Sequence, residues 1–288
     1  MTKQGKLIPY LLLLPALLIL LFLFIYPIFW NIYLSLHNVS LVTILKEWSF
    51  TGLANYVRLF KDPYFIKSLL ISLYFVVGSS IGQFGLGLGL ALLLHRKMRG
   101  VGTFRVIITV PWILSELIVA YTWVWAYDKY GLFNNILRAI GLSGVNWLGD
   151  PHIAIWSIVI ANIWFGTPFT MLMLGSALNT INPELYEAAT VDGATPLRCF
   201  RHITFPLLKP FIAINLILIT MWTVNLFALQ WAMTKGGPLY STTTTSLYMY
   251  RQAFQFGELS IGSSIGVLLF IFNIIAAFVY LRTLRAEV

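Results

Sequence analysis

NTINPELYEAATVDGATPLRCFRHITFPLLKP, residues Asn179 to Pro210, is a polar island between two long apolar runs. Asn182 is placed to cap a helix whose first position is Pro183, with Glu184 in the first turn beside the unpaired N–H groups. Leu185, Ala188, Ala189 and Val191 give that short helix an apolar side. Gly193 and Pro196 break it, and Cys199, Phe200 and Ile203 form a second apolar stripe before Pro206 and Pro210. The pattern predicts two short helices on a glycine elbow, held against a membrane as a rigid docking knob rather than a catalytic pocket.

The flanks decide the fold class. Crossing a hydrocarbon core of about 30 Å takes about 20 residues of helix. Six runs fit: Ile8–Trp30, Lys67–Leu94, Val106–Tyr127, Ile153–Ala177, Phe211–Met233 and Ile261–Leu281. The first follows Lys3 and Lys6 but is too long for a signal peptide and has no A-x-A-like site after it, so it reads as a retained anchor. The expected architecture is an all-α integral membrane protein, a single transmembrane domain over residues 1–288 with the loop 178–209 on the cytoplasmic side. Composition agrees: 59% of the residues are hydrophobic and 10% charged, against about 25% charged in soluble domains. With a mean hydropathy of +0.82, a soluble enzyme, a disordered tail and a disulfide scaffold are excluded.

Six spans put both termini on one side. With the termini inside, Lys3, Lys6, Arg96, Lys97, Arg99, Arg105, Arg198, Arg201, Lys209, Arg282 and Arg285 are cytoplasmic, 11 of the 19 Lys and Arg. The longer outer segments hold the other 8, so the positive-inside bias is met. It also accounts for the net charge of +9 without nucleic acid. Gly78/Gly82, Gly85/Gly89 and Gly262/Gly266 are spaced for close helix approach, within the subunit or at a subunit interface.

Catalytic chemistry finds no support. Cys199 is the single cysteine, the four histidines are scattered at span ends without an HExxH spacing, and no GxxxxGK[ST] loop is present. No metal site is expected.

Glu187-Ala188-Ala189, then Gly193, then Ile203-Thr204-Phe205-Pro206, resembles the EAA signature of ABC-importer permeases, with Phe205 where leucine is usual. Phe50–Phe65 and Thr234–Phe254 look like the segments before the second span and after the fifth span of carbohydrate permeases. Together they resemble the first permease of a maltose, lactose or glycerol-phosphate type importer. The resemblance implies a second permease subunit, two cytoplasmic ATPases that use ATP and Mg, and an extracytoplasmic binding protein delivering a sugar. No cofactor would be bound by this chain itself. It implies a bacterial or archaeal cytoplasmic (inner) membrane, and ATPase coupling through Glu187, Ala188, Ala189, Asp192, Gly193, Ile203 and Pro206. A glycerol-phosphate permease, and a stand-alone secondary transporter that would leave the EAA loop unused, are the alternatives.

Transporter sites tend to lie near the membrane midplane. Ser115 and Glu116 reach that depth in the third span, Phe165, Gly166 and Phe169 in the fourth, and Thr220, Trp222, Thr223 and Asn225 in the fifth. Hydroxyl partners beside aromatic faces suit a sugar, and the maltose-type resemblance supports Ser115, Gly166 and Phe169. Glu116 reads either as a pore acceptor or as a structural, interhelically bonded acid. Asn162 and Asn273 read as interhelical glue, and Pro168 as a bend beside Gly166.

Overall fold

The computed structural model describes residues 13–95 and 99–284. The start of the expected first span at Ile8, with Lys3, Lys6, Arg96, Lys97 and Arg285, lies outside the described residues. In chain order the helices are α1 (Leu13–Ser35), α2 (Ala54–Lys61), α3 (Pro63–His95), α4 (Val101–Ile113), α5 (Glu116–Ala126) and α6 (Leu132–Ala139). They continue with α7 (Ala154–Leu178), α8 (Glu184–Val191), α9 (Pro196–Asn225), α10 (Ala228–Thr234), α11 (Thr245–Tyr250) and α12 (Leu259–Leu284). One short antiparallel ladder pairs β1 (His37–Asn38) with β2 (Ser49–Phe50), His37 opposite Phe50. The chain clusters into two compact units, Met1–Phe65 with Tyr248–Phe270, and Ile66–Leu247 with Ile271–Val288.

The first unit is built on the end of α1. Its last carbonyls have no helical donor, and the buried Asn55 amide supplies one, donating to Ser35 O at 2.8 Å and His37 O at 2.9 Å. The start of α12 closes on the same segment, with Ser260 Oγ accepting from Val39 N at 2.6 Å. A Cβ on Gly262 would stand 2.6 Å from Ala253 Cβ, so this glycine serves packing inside the unit. Leu59, Phe65, Tyr248, Ile261 and Ile265 form the core.

The second unit is organised around α7, whose most apolar window is 61% buried. Glycines of α3 let the two backbones close up: a Cβ on Gly82 would lie 2.3 Å from Ile163 Cδ1, and one on Gly87 2.5 Å from Thr170 Cβ. Gly85 and Gly89 have nothing within 4 Å of such a Cβ. The glycine pairs therefore divide between a packed face and an open one. α4 and α9 flank α7, and α10 packs on α5. Val119, Ala120, Trp123, Leu226, Leu229 and Met233 share one core.

Two expected spans are corrected. Val106–Tyr127 is not one helix but α4 and α5, bent by 100°. Leu114 and Ser115 are extended, and Ser115 caps α5 by accepting from Ile118 N at 3.4 Å. Pro111, with no N–H to donate, weakens the last turn of α4 just before the break. The expected Phe211–Met233 starts earlier and ends earlier, as α9. A π turn over Phe200–Thr204, in which Phe205 N–H reaches back to Phe200 O, passes the helix smoothly onto Pro206. The Cys199–Phe200–Ile203 stripe is thus the foot of α9 rather than a second short helix. Extended Leu226 ends α9, and Ser246 Oγ donates to Leu226 O at 3.0 Å. The helix α7 runs through Pro168 without interruption.

These contacts predict that Gly87→Ala lowers stability by about 1–3 kcal/mol through overpacking. Gly89→Ala, on the open face, should leave it nearly unchanged. Thermal midpoints of the two variants in one detergent decide it.

Candidate functional site

Two features gather the residues singled out above. The first is the α8 knob. Asn182 Oδ1 accepts from Glu184 N at 3.0 Å, so the cap forms where the sequence places it. At the other end Gly193 adopts φ +74. Its N–H reaches Thr190 O at 3.0 Å while Ala194 N–H reaches Ala189 O at 2.8 Å. That pair is a Schellman closure, which requires a left-handed residue at position 193. Tyr186 anchors the helix: its hydroxyl bonds Thr204 Oγ1 at 2.9 Å, and its ring packs with Ile203 against Leu174, Leu178 and Leu208.

Apart from Ala189, the rest of α8 faces outward. Glu187, Ala188, Asp192 and Gly193 are exposed, while Ala189, Ile203 and Pro206 are half-buried. Val191 is 88% exposed and Leu197 75%, an apolar surface the described residues leave uncovered. The knob is rigid at both ends and bare on its outer side.

The second feature is a cavity of about 280 Å³, counting its open mouth, lined by Gln83, Trp112, Asn162, Phe165, Gly166, Phe169, Ile219, Trp222 and Thr223. Its enclosed part has room for about one water molecule. The aromatic wall is continuous: Trp112 to Phe169 is 5.7 Å between centroids, Phe169 to Trp222 6.4 Å, and Phe165 to Trp222 6.1 Å. Gln83 Nε2 donates to Asn162 O at 3.0 Å. The amide fits because position 166 has no side chain, since a Cβ there would lie 2.4 Å from Gln83 Cδ. Asn162 Nδ2 and Trp112 Nε1 are buried donors without a hydrogen-bond partner among the described residues.

Of the expected pore residues, Phe165, Gly166, Phe169 and Thr223 line this cavity. The other four do not. Ser115 caps α5, and Glu116 follows it in the first helical turn beside the break, not in the middle of a continuous span. Thr220 bonds the Tyr280 hydroxyl at 3.1 Å. Asn225 folds back onto its own helix, donating to Met221 O at 2.7 Å. Gln83 and Trp112 escaped the sequence-based set. The available signal for Gln83 was its being the one carboxamide in the α3 run.

Comparison with known proteins is consistent across the chain. Residues 83–285 match the family described as binding-protein-dependent transport system inner membrane component. The chain is 39% identical to the trehalose/maltose transport system permease protein MalF of Thermococcus litoralis, over 98% of its own length and 95% of the relative's. It is 34% identical to the sulfoquinovosyl glycerol transport system permease protein SmoG of Agrobacterium fabrum, over 98% and 92%. A chain of a bacterial alginate ABC transporter, crystallised in complex with an alginate pentasaccharide-bound periplasmic protein, superposes with a TM-score of 0.85 at 25% identity, over 98% and 95% of the two chains.

The cavity geometry predicts that Gly166→Ala displaces the Gln83 amide and destabilises the protein by about 1–3 kcal/mol. Adding Gln83→Ala should recover most of that loss. A double-mutant cycle on thermal midpoints, showing coupling between the two sites, is the check.

Proposed function

This chain belongs to the family of binding-protein-dependent transport system inner membrane components, and on that premise we propose that it forms half of the pore of an ABC importer for a saccharide. In this reading a second permease completes the pore, two cytoplasmic ATPases hydrolyse ATP with Mg, and an extracytoplasmic binding protein delivers the sugar. The chain itself is non-catalytic and binds no cofactor. It sits in a bacterial or archaeal inner membrane with both termini cytoplasmic, in accord with the positive-inside bias.

One observation carries the reading: α8 is capped at both ends, anchored by Tyr186 on its inner side, and bare where Glu187, Ala188 and Val191 face outward. Such a knob fits a groove on an ATPase and transmits its movement as a rigid body. The path to the cavity is short in structural terms. Thr204, to which Tyr186 is bonded, belongs to the same continuous helix α9 as Ile219, Trp222 and Thr223. A tilt imposed at the foot of α9 reaches the cavity wall about 27 Å further along at 1.5 Å rise per residue.

The cavity supplies the substrate half of the reading. Aromatic faces meet the C–H surface of a sugar ring, and the free donors Trp112 Nε1 and Asn162 Nδ2 meet its hydroxyls. None of the lining residues is cationic, which favours a neutral saccharide over a phosphorylated polyol. A cavity with room for about one water must widen to admit a ring, as alternating access requires.

Coupling is tested on the transporter reconstituted with its partners. Glu187→Lys and Gly193→Asp should each lower uptake by about tenfold or more, since the second forces a side chain into a left-handed position costing roughly 1–2 kcal/mol. Membrane insertion should be unchanged. Normal uptake by both variants at equal expression would remove the docking assignment. Phe169→Ala should weaken uptake with the ATPases still bound. Loss of the ATPases on purification would make Phe169 structural instead.

A further inference from the structure

The hairpin that follows α1 carries an apolar tip that the importer reading does not use. Leu41, Val42, Thr43, Ile44 and Leu45 form the turn between β1 and β2. Val42 is 83% exposed and Leu45 97%, and Leu41 and Ile44 are exposed as well. The backbone beneath them is tied down. Ser40 N–H donates to Thr43 Oγ1 at 2.9 Å and Thr43 N–H to Ser40 Oγ at 3.2 Å, a reciprocal pair that closes the turn. Lys46 N–H reaches Thr43 O at 2.9 Å, and Trp48 Nε1 donates to Ile44 O at 3.3 Å. A turn that pairs its own polar groups in this way loses less on entering an apolar boundary than an open loop does.

The height of the tip follows from its two necks, both inside the first unit. On one side the chain climbs beside the start of α12. Asn31 Nδ2 donates to Ser263 O at 3.3 Å, Val39 N to Ser260 Oγ at 2.6 Å, and Leu41 N to Gly257 O at 2.8 Å. From Ser263 to Gly257 the rise is about 9 Å at 1.5 Å per residue. On the other side Trp48 meets Trp30 edge-on at 5.7 Å and lies 6.2 Å from Tyr33. Trp30 in turn stacks with Tyr26 at 6.1 Å and with Tyr33 at 5.7 Å. A ladder of Tyr and Trp at the end of an apolar helix is the aromatic belt of a membrane interface. The headgroup layer is roughly 5–8 Å thick on each side of the hydrocarbon, so both necks stand at headgroup height. Below the belt, the most apolar window of α1 is 0% buried by the chain, and its sides face lipid.

We propose that the Leu41–Leu45 tip is an interfacial anchor. It rests in the leaflet at this end of α1, the outer one in the orientation proposed above, with Val42 and Leu45 against the upper acyl carbons of the phospholipids. Continuity decides the occupant: Tyr26, Trp30, Tyr33 and Trp48 join the tip to α1 without a gap, so the lipid that covers α1 reaches the tip. Lys46 follows the tip directly, and its long stem lets the ammonium reach the phosphates while the apolar residues stay below them. The bonds from Val39 and Leu41 to Ser260 and Gly257 pass this depth to the start of α12. The proposal needs only that the chain spans a membrane, and it is independent of the sugar and of coupling through α8.

The test is spin-label EPR on the full chain, assembled with its partners in vesicles of phosphatidylethanolamine and phosphatidylglycerol. Cys199→Ala removes the native thiol, and a nitroxide is attached at Val42→Cys or at Leu45→Cys. Phe22→Cys on α1 is the lipid reference, and a water-soluble nitroxide in the same suspension is the aqueous one. The ratio of relaxation by oxygen to relaxation by a water-soluble nickel chelate reads depth. Both tip labels should give a ratio between the two references, shifted clearly from the aqueous value. Val42→Asp with Ile44→Asp should return the Leu45 label to the aqueous value. The Phe22 label, measured in the same Asp background, stays at its lipid value when the chain is inserted, which separates a displaced tip from a misfolded chain. Aqueous ratios at both tip positions of the parent chain overturn the proposal. So does a lipid-like ratio at Leu45 that survives the two Asp substitutions. Shielding of the tip from both relaxants, appearing only when the extracytoplasmic binding protein is added, would mark a protein-docking surface and also overturn it.

Discussion

The close approach of α3 to α7 is the constraint on which the second unit rests. Lipid offers no hydrophobic drive between helices, so the association relies on packing and on hydrogen bonds formed at short range. Gly82 and Gly87 remove the side chains that would hold the backbones apart, and Gly166 does the same from the other side for Gln83. That single crossing brings the Gln83 amide onto Asn162 O and leaves the neighbouring donors of Asn162 and Trp112 facing a cavity. A structural contact and a binding surface are thus made by the same few residues.

Broken helices are the second recurring device. Each break exposes backbone groups that are costly in an apolar setting, and each is answered by a side-chain hydroxyl. Ser115 serves α5, and Ser246 serves the carbonyl released where α9 ends. The hydroxyl run Thr242–Ser246 is buried throughout and tied to its surroundings, with Thr234 Oγ1 and Thr242 Oγ1 at 2.7 Å and Thr243 Oγ1 donating to Gly236 O at 2.8 Å. A polar loop packed this way supports the short helix α10, with the Thr244 hydroxyl donating to Gln230 Oε1.

The two ends of α7 have different physics. At one end the α8 knob is stiff because Asn182 and Gly193 close both of its termini, and it offers an apolar and acidic outer face. At the other end α6 is pinned by Asn134 and leaves Leu132 and Ile136 exposed.

The sequence by itself determined the membrane class, the positions of the long apolar runs, the α8 cap at Asn182 and the glycine elbow at Gly193. Each follows from local chemistry: length of apolar run, an oxygen poised over free N–H groups, a residue without Cβ where the chain must turn left-handed. The aromatic and hydroxyl set of Phe165, Gly166, Phe169 and Thr223 was legible from depth, with the maltose-type resemblance behind Gly166 and Phe169. Depth is a one-dimensional quantity, and for that reason it admitted Thr220 and Asn225 beside the residues that line the cavity. Only the tertiary structure decided that Thr220 turns to Tyr280, that Asn225 turns back on its own helix, and that α4 and α5 part at Ser115. Those outcomes depend on helix rotation and on which neighbour fills the space, and neither is written in the spacing of residues along one chain.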